Sequence, residues 1–478
     1  MAWFLGLSLL SLTIWIYLLG FRGQFWRTEP CLDARPLSSA ALSTKPGPDP
    51  YPMVCVVIPA RDEAEVIAIS VRSLLTQAYP GDLSIILVDD HSTDGTGAIA
   101  HTTAQEIYTE RPDFASRRLT ILPAKDLPPG WTGKLWALEQ GTQATMARSP
   151  QPDFLLLTDA DIAHDCNNLQ RLVDKSITHN LDMASVMVRL RCQSLWEKLL
   201  IPAFVFFFQK LYPFNWANQV DNAIAAAAGG CILLRPQALQ RIGGIGSIRH
   251  ALIDDCALAQ AIKWNQVSEG RRQKTEGRRQ FVLSEAEGKI EEPTPSPSQE
   301  GDRTGQTPKL PNSQTPKLPN FQTQNPKSKI QNPKSTSSHP IWIGLSQKTH
   351  SLRPYDDLNT IWDMVARTAY TQLNYSPLLL VGALLGMTIV YLMPVLGVIV
   401  GLVMDEMAIV AVSLMTWGLM AIAYRPILRF YKQSPFFSLV LPGIAFMYTL
   451  MTLDSALRYW QGRGGAWKGR TYSTGDKG

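Results

Sequence analysis

Apolar residues fall along the chain in three textures. The two ends carry long runs with almost no charge. Ala2–Gly20 contains no charged side chain over 19 residues, and about 20 apolar residues span a bilayer core. No basic segment precedes this run and no small-residue cleavage site follows it, so it reads as an uncleaved anchor rather than a signal peptide. Arg22 and Arg27 flank it on the C-terminal side, and positive flanks stay in the cytoplasm, which puts the N-terminus outside. Three further runs close the chain, at 377–404, 407–424 and roughly 435–453. Arg425, Arg429 and Lys432 place the loop after the second run inside. A third crossing would leave Arg458, Arg463, Lys468 and Arg470 outside, against the same rule. That stretch is either re-entrant or interfacial, or it overrides the charge rule, and both readings stay open.

The middle of the chain has a different period. Short β-branched runs at Val54–Pro59, Ser84–Asp89, Leu119–Pro123 and Phe154–Thr158 alternate with helical segments. Near-continuous apolar strands in that alternation predict a parallel α/β sheet. Residues 28–52 hold six prolines and read as a linker. Residues 266–339 are polar and repetitive: QTPKLPN occurs at 306–312 and 314–320, and QNPKS at 324–328 and 331–335. With nine prolines and few aliphatics they cannot fund a packed core, and they read as a disordered low-complexity insertion.

Composition narrows the class. The chain has 478 residues, too many for one compact domain. Six scattered cysteines without a CxxC pair exclude a disulfide scaffold and suggest no structural zinc. A net charge of +5 is too small to argue for nucleic acid.

Candidate chemistry sits at the strand ends, where open α/β sheets bind their ligands. The first strand ends in Pro59-Ala60-Arg61-Asp62-Glu63 and the second in Asp89-Asp90-His91-Ser92-Thr93-Asp94. Carboxylates there suit ribose hydroxyls or a base N–H; Asp90 is taken as the ligand and Asp94 as a helix cap. The fourth run ends in Asp159-Ala160-Asp161. Two carboxylates at i and i+2 facing a cleft repel each other unless a hard divalent cation lies between them. The segment 199–210 is too short to span a membrane; it reads as a helix at the interface, with a core helix as the alternative. The histidines at 91, 164, 250 and 350 show no partner in sequence.

The order IPARDE, VDDHSTDGT, TDAD, the Gly-rich segment around 223–244 and Ile253-Asp254-Asp255 resembles the family 2 glycosyltransferases of the GT-A fold. Pro128–Trp136, Ser351–Tyr355 and Ala366–Leu373 look more narrowly like the hopene-associated glycosyltransferases. The resemblance implies a membrane anchor at 1–27, a GT-A catalytic domain over 53–265 that resumes at 340–375, a membrane region at 376–454 and a basic tail at 455–478. It implies a nucleotide-sugar pocket built from Pro59, Arg61, Glu63, Asp90, Lys134, Asp159, Gly229 and Gly230. Asp159 and Asp161 would hold Mg²⁺ or Mn²⁺. Asp255 would be the general base, with Asp254 the alternative because the family's Glu-Asp pair is Asp-Asp here. The terminal Gln/Arg-x-x-Arg-Trp motif is not literal; Arg367–Gln372 lies where it would fall, which argues against a processive polymer synthase. The implied enzyme moves a sugar from a nucleotide-diphosphate donor, UDP-linked by expectation, to a lipid acceptor such as a hopanoid. It would do so with inversion, at the inner (plasma) membrane, with its catalytic domain in the cytoplasm. Rival readings are a sphingolipid-type or polyprenyl-phosphate glycosyltransferase, a polysaccharide synthase and a non-catalytic membrane scaffold.

Overall fold

In the computed structural model of the chain the described residues are 2–33, 50–264 and 341–462, with backbone alone at Ala466–Trp467 and Arg470–Thr471. The expected insertion at 266–339 and residues 34–49 of the expected linker lie outside them.

Eight strands form one sheet: β1 Val54–Ala60, β2 Leu83–Asp89, β3 Leu119–Pro123, β4 Phe154–Leu157, β5 Ile162–Ala163, β6 Met183–Arg189, β7 Ile232–Leu234 and β8 Ile341–Ser351. Their order is β3-β2-β1-β4-β7-β6-β8-β5. The four predicted strands are all present and mutually parallel. The expectation of a parallel sheet needs correction beyond them, because β7 runs antiparallel to both β4 and β6. Ile232 pairs with Leu157, so β7 starts where β4 ends. The chain just before it, through Gly229 and Gly230, is thereby brought to the carboxyl ends of the strands.

Alternation explains why β1 is buried on both faces. Val54, Val56 and Ile58 join one core with α2 (Ile67–Leu75), α3 (Thr96–Glu110) and α5 (Asn168–Thr178). Cys55 and Val57 join the other, with α4 (Gly133–Met146) and α7, the helix at 254–264. Successive side chains of a strand point to opposite faces. Helix α4 can lie this close because of Gly141, where a Cβ would stand 2.4 Å from Val57 Cγ1.

The linker expected from residue 28 begins later. Leu32 N donates to Leu345 O at 2.8 Å and Leu345 N to Pro30 O at 2.9 Å. The Asp33 carboxylate accepts from Lys348 N and from Ser346 Oγ. The physical reason is the length of β5. It pairs only with residues 350 and 351 of β8, leaving the earlier edge of β8 open for residues 30–33 to cover.

Among the described residues three helices are long and apolar enough to cross a membrane: α1 (Ala2–Phe21), α10 (Pro377–Val403) and α11 (Met407–Phe430). They pack closely. Gly397 leaves no room for a Cβ beside Ser413 Oγ, a small-residue contact of the kind that lets apolar helices approach closely. A π turn at Thr388–Leu392 interrupts α10, and the Val390 carbonyl takes a hydrogen bond from Trp15 Nε1 at 2.8 Å. The third C-terminal run becomes α12 (Leu441–Trp460) and is not among the three. Its Asp454 accepts from Trp362 Nε1 on α8 (Leu358–Ala366) and pairs with Arg458. Helix α6 (Leu195–Leu211), expected at the interface, has a core face. Fully buried Phe206 meets the Tyr424 ring of α11, and Leu200 O accepts from Tyr448 of α12.

Candidate active site

The ends of β1 and β2 are joined by hydrogen bonds. Arg61 Nη1 donates to Asp90 O at 2.7 Å, and its guanidinium lies 3.6 Å from the Asp90 carboxylate, which is 2% exposed. Asp94 accepts from Thr96 N at the start of α3 and from Ala64 N. It therefore ties the two loops together, but the cap position expected of it belongs to Gly95, whose backbone is left-handed. Asp62 and His91 both have left-handed backbones, a conformation Asp and His tolerate better than bulky residues. The sequence left His91 without a partner; it faces Asp90 at 3.2 Å. His164, equally unassigned, meets Thr158 Oγ1 at 2.9 Å and Asn168. Burial pushes its imidazole down to about 3, so it is a neutral core residue.

The centre of the site is Lys134, in the first turn of α4. Its Nζ lies 2.9 Å from Asp159 Oδ1 and 3.0 Å from Asp254 Oδ2. Burial acts to lower its pKa, but Asp159 and Asp254 win and hold the ammonium well above its ordinary range. Lys134 is therefore not a solvated surface lysine. Asp161, one strand-end step on, is raised to about 6 by burial first and then by Asp159 and Glu63, with Arg353 opposing. Arg353 reaches Asp161 at 3.7 Å and Glu63 at 3.6 Å.

Asp255 is set apart from Asp254. Its Oδ2 accepts from Gly229 N at 2.9 Å and its Oδ1 from Cys256 N at 2.6 Å. Burial, then the neighbouring Asp254, lift it to about 7. A carboxyl near neutrality and held in orientation suits a proton acceptor. The two glycines also differ. A Cβ on Gly229 would face Lys134 Nζ at 3.1 Å and Asp255 Oδ2 at 3.6 Å, inside the site. One on Gly230 would meet Val188 and Ile162, inside the sheet.

A cavity of about 150 Å³ connects these groups, lined by Glu63, Lys134, Asp159, Asp161, Asp254 and Arg353 among others. It shares Glu63, Asp161, Arg353 and Arg367 with an open cleft of about 900 Å³ that runs toward α8 and Arg458. Pro59 lines a smaller space with Lys134, Asp159, Gly229 and Asp255. Of the sequence-predicted residues, Pro59, Glu63, Lys134, Asp159, Asp161, Gly229, Asp254 and Asp255 line these spaces, whereas Arg61, Asp90 and Gly230 line none of them. Sequence reasoning missed Arg353 as a site residue, although its motif was noted. It also missed Tyr212, the residue just after α6, which takes a hydrogen bond from Gln372 Nε2 and lies within electrostatic reach of Asp255.

Asp159 and Asp161 suit a divalent cation. They are hard oxygen donors two residues apart, and both line the same cavity. No group of three His, Cys, Asp or Glu side chains converges among the described residues, so other ligands would come from water or a bound diphosphate.

The chain is 29% identical over 144 residues to probable glucomannan 4-beta-mannosyltransferase 1 of Arabidopsis thaliana, covering 30% of this chain and 24% of that one. It is 40% identical over 75 residues to beta-monoglucosyldiacylglycerol synthase of Synechocystis, covering 16% and 15%. The matches thus span about a quarter or less of these relatives. Among solved structures, mannosyltransferase PcManGT of Pyrobaculum calidifontis, in complex with GDP-Man and Mn²⁺, aligns over 96% of each chain at 14% identity and a TM-score of 0.43. Residues 55–243 match the sequence model of Glycosyl transferase family 2. This chain carries a family 2 glycosyltransferase domain on a mixed α/β sheet of the GT-A kind.

Proposed function

We propose that the protein transfers a sugar from a nucleotide-diphosphate donor to a lipid acceptor at the membrane, by single displacement with inversion. The observation that carries this reading is the Lys134 hub. One ammonium joins Asp159 of the D-x-D motif to Asp254 of the acidic pair, so donor and base sides share one cleft. In this reading Pro59, Arg61, Glu63 and Asp90 receive the nucleoside, and Gly229 lets the backbone approach the sugar. Asp159 and Asp161 would hold Mg²⁺ or Mn²⁺, which when bound supplies positive charge to the diphosphate as it leaves. Asp255 takes the proton of the acceptor hydroxyl as that oxygen attacks the anomeric carbon. Lys134 and Arg353 offset charge on the departing diphosphate, as electrostatic stabilisation requires.

A lipid acceptor is favoured because α6, whose last residues lead to Tyr212 beside the acidic pair, packs on a helix apolar enough to cross a membrane. A hopanoid is the specific expectation, with other lipid alcohols and polyprenyl phosphates as alternatives. The cation-rich flanks at Arg22, Arg27 and Arg425–Lys432 favour a cytoplasmic catalytic domain on the inner membrane. The test is incubation of membranes containing the protein with radiolabelled UDP- and GDP-sugars, followed by lipid extraction. Label in a lipid fraction that disappears with Asp255→Asn is the expected result. Label only in insoluble polymer would replace the lipid acceptor with a polysaccharide, the activity named for the Arabidopsis relative.

A further inference from the structure

Glu197 is a fully buried carboxylate that the mechanism above does not use. It sits in the first turn of α6 and begins as a capping box: Glu197 N donates to Ser194 Oγ at 3.1 Å, and Ser194 N donates to Glu197 Oε2 at 2.9 Å. A capping box needs no more than that pair. Here the same carboxylate also accepts from Gln193 N at 2.6 Å, from Arg191 Nη1 at 3.0 Å and from Tyr355 N at 2.8 Å. The last bond spans 158 residues of sequence and reaches the loop that follows β8. Two more contacts fasten that loop to the same corner. Ser194 Oγ donates to Tyr355 O at 3.2 Å, and Arg191 Nη1 pairs with Asp356 at 2.6 Å.

Arg353 lies between this clamp and a second one. Leu352 N donates to Asp161 O at 2.7 Å, which fixes the backbone just before Arg353. Pro354 follows it, locking its own φ and restricting Arg353 to an extended conformation. With Tyr355 held by Glu197, the loop has little freedom left, and the Arg353 guanidinium faces Asp161 and Glu63. Helix α6 in turn is braced by α11 and α12 through Phe206–Tyr424 and Tyr448–Leu200.

We propose that Glu197 is a positioning residue for the donor cleft: it holds the 352–356 loop so that Arg353 stands over Asp161 and Glu63. Through it the lie of α6, and of the helices packed on α6, sets the charge balance at the D-x-D motif. The proposal rests on reading that cleft as the donor site.

The test uses the full-length protein in detergent and compares Glu197→Gln, Arg353→Ala and the double variant. A glutamine has one acceptor oxygen for the donors now shared by two, and its NH₂ would oppose an N–H. Two readouts move in opposite directions if Arg353 is displaced. Mn²⁺ alone, followed by electron paramagnetic resonance, should bind several-fold more tightly, because a competing cation has left Asp161. The KM for the nucleotide sugar should rise about tenfold, because the diphosphate has lost a cation (about 1.4 kcal/mol). Glu197→Gln should reproduce both changes and add little to them in the Arg353→Ala background, the mark of two residues acting as one. Should Glu197→Gln fail to fold, Tyr355→Pro removes the loop-side N–H from the clamp and fixes φ there, with Tyr355→Ala as control for the lost ring. Wild-type Mn²⁺ affinity and KM in folded Glu197→Gln or Tyr355→Pro, or a fully additive double variant, would overturn the proposal. A wild-type protein that binds Mn²⁺ with this dependence yet transfers no sugar would sink the proposed function and leave Glu197 its role.

Discussion

The sheet has two halves that meet at β4, and they furnish the cleft by different routes. The parallel half, β3-β2-β1-β4, presents consecutive strand ends: Pro59 to Glu63, Asp90, and Asp159 to Asp161. Its crossover helix α4 brings Lys134 to 2.9 Å from Asp159. The mixed half, β7-β6-β8-β5, reaches the same place from the other side. Reversed β7 delivers Gly229, and β8 delivers Arg353 at 3.7 Å from Asp161. Each acid of the D-x-D motif therefore has a cation from a different half, one close and shared with Asp254, the other looser and set by a clamped loop. The comparison teaches that Lys134 ties the D-x-D motif directly to the acidic pair, whereas Arg353 ties it only to Glu63 at the end of β1.

The hardest way to break that comparison is to remove the base itself. Asp255→Asn keeps the acceptor oxygen for Gly229 N but cannot take a proton. Turnover should fall by roughly 10²-fold or more, while titration calorimetry should find donor and Mn²⁺ binding largely retained. Asp254→Asn is the counter-experiment, since it unbalances Lys134 instead and should act on donor affinity. If Asp254→Asn abolishes turnover and Asp255→Asn does not, the two acids have exchanged roles.

Next in size is Lys134→Met. It leaves Asp159 and Asp254 facing each other without their shared ammonium. Truncating one partner of a buried ion-pair network is costly because the others remain charged. Donor affinity should drop about 10- to 100-fold, or roughly 1.4–2.8 kcal/mol, with a lowered melting temperature. Arg353→Ala should cost less donor affinity, because its contacts are longer and its side chain is 35% exposed. Equal losses in the two variants would erase the distinction between the halves.

How far this was legible in the sequence follows the same division. The parallel half was readable because each strand and its chemistry are contiguous: an apolar run followed within a few residues by its acids. The long apolar helices were readable for the same reason, and α10's π turn changes nothing in its apolar run. The mixed half was not. Residues 232–234 are three apolar residues, too short to signal a strand or its direction. Strand β8 pairs with β6 across more than 150 positions, and the role of Arg353 appears only once that pairing sets it against Asp161. Glu197 was hidden for the same reason, since its three local partners, Arg191, Gln193 and Ser194, look ordinary until Tyr355 arrives. Residues 28–33 resembled the rest of a Pro-rich linker, and only the open edge of β8 shows what they cover.

A smaller effect separates the acid pair by pH. Asp255 is raised to about 7 in the folded protein, chiefly by burial. As base it must be ionised, so kcat/KM should fall as pH drops through about 7, with an apparent value belonging to the coupled acids and Lys134. Stability should run the other way. A raised carboxyl favours the folded state in full below its unfolded value near 3.8, and that contribution is lost as pH rises through 7. Asp255→Asn does not titrate, so its melting temperature relative to wild type should be higher at pH 8 than at pH 5. A difference independent of pH would mean that Asp255 keeps an ordinary carboxylate pKa, and the low-pH limb would then need another owner.

The smallest expected effects come from the two glycines at the seam, and they separate chemistry from packing within two adjacent residues. In Gly229→Ala the new methyl would lie 3.1 Å from Lys134 Nζ. That is the far end of a flexible side chain, which can move by a few tenths of an ångström at little cost to the fold. The movement shifts the ammonium against Asp159 and Asp254, so donor KM should rise a few-fold with the melting temperature nearly unchanged. In Gly230→Ala the methyl would press on Val188 Cγ2 at 3.1 Å and Ile162 Cδ1 at 3.3 Å, both inside the packed sheet. Overpacking a core typically costs about 1–3 kcal/mol, so Gly230→Ala should lower the melting temperature by several degrees while the folded enzyme keeps its KM. The outcome to look for is the crossing of the two readouts. If both substitutions lowered stability and neither touched KM, Gly229 would be a packing residue like its neighbour, and the close approach of backbone to sugar would lose its support.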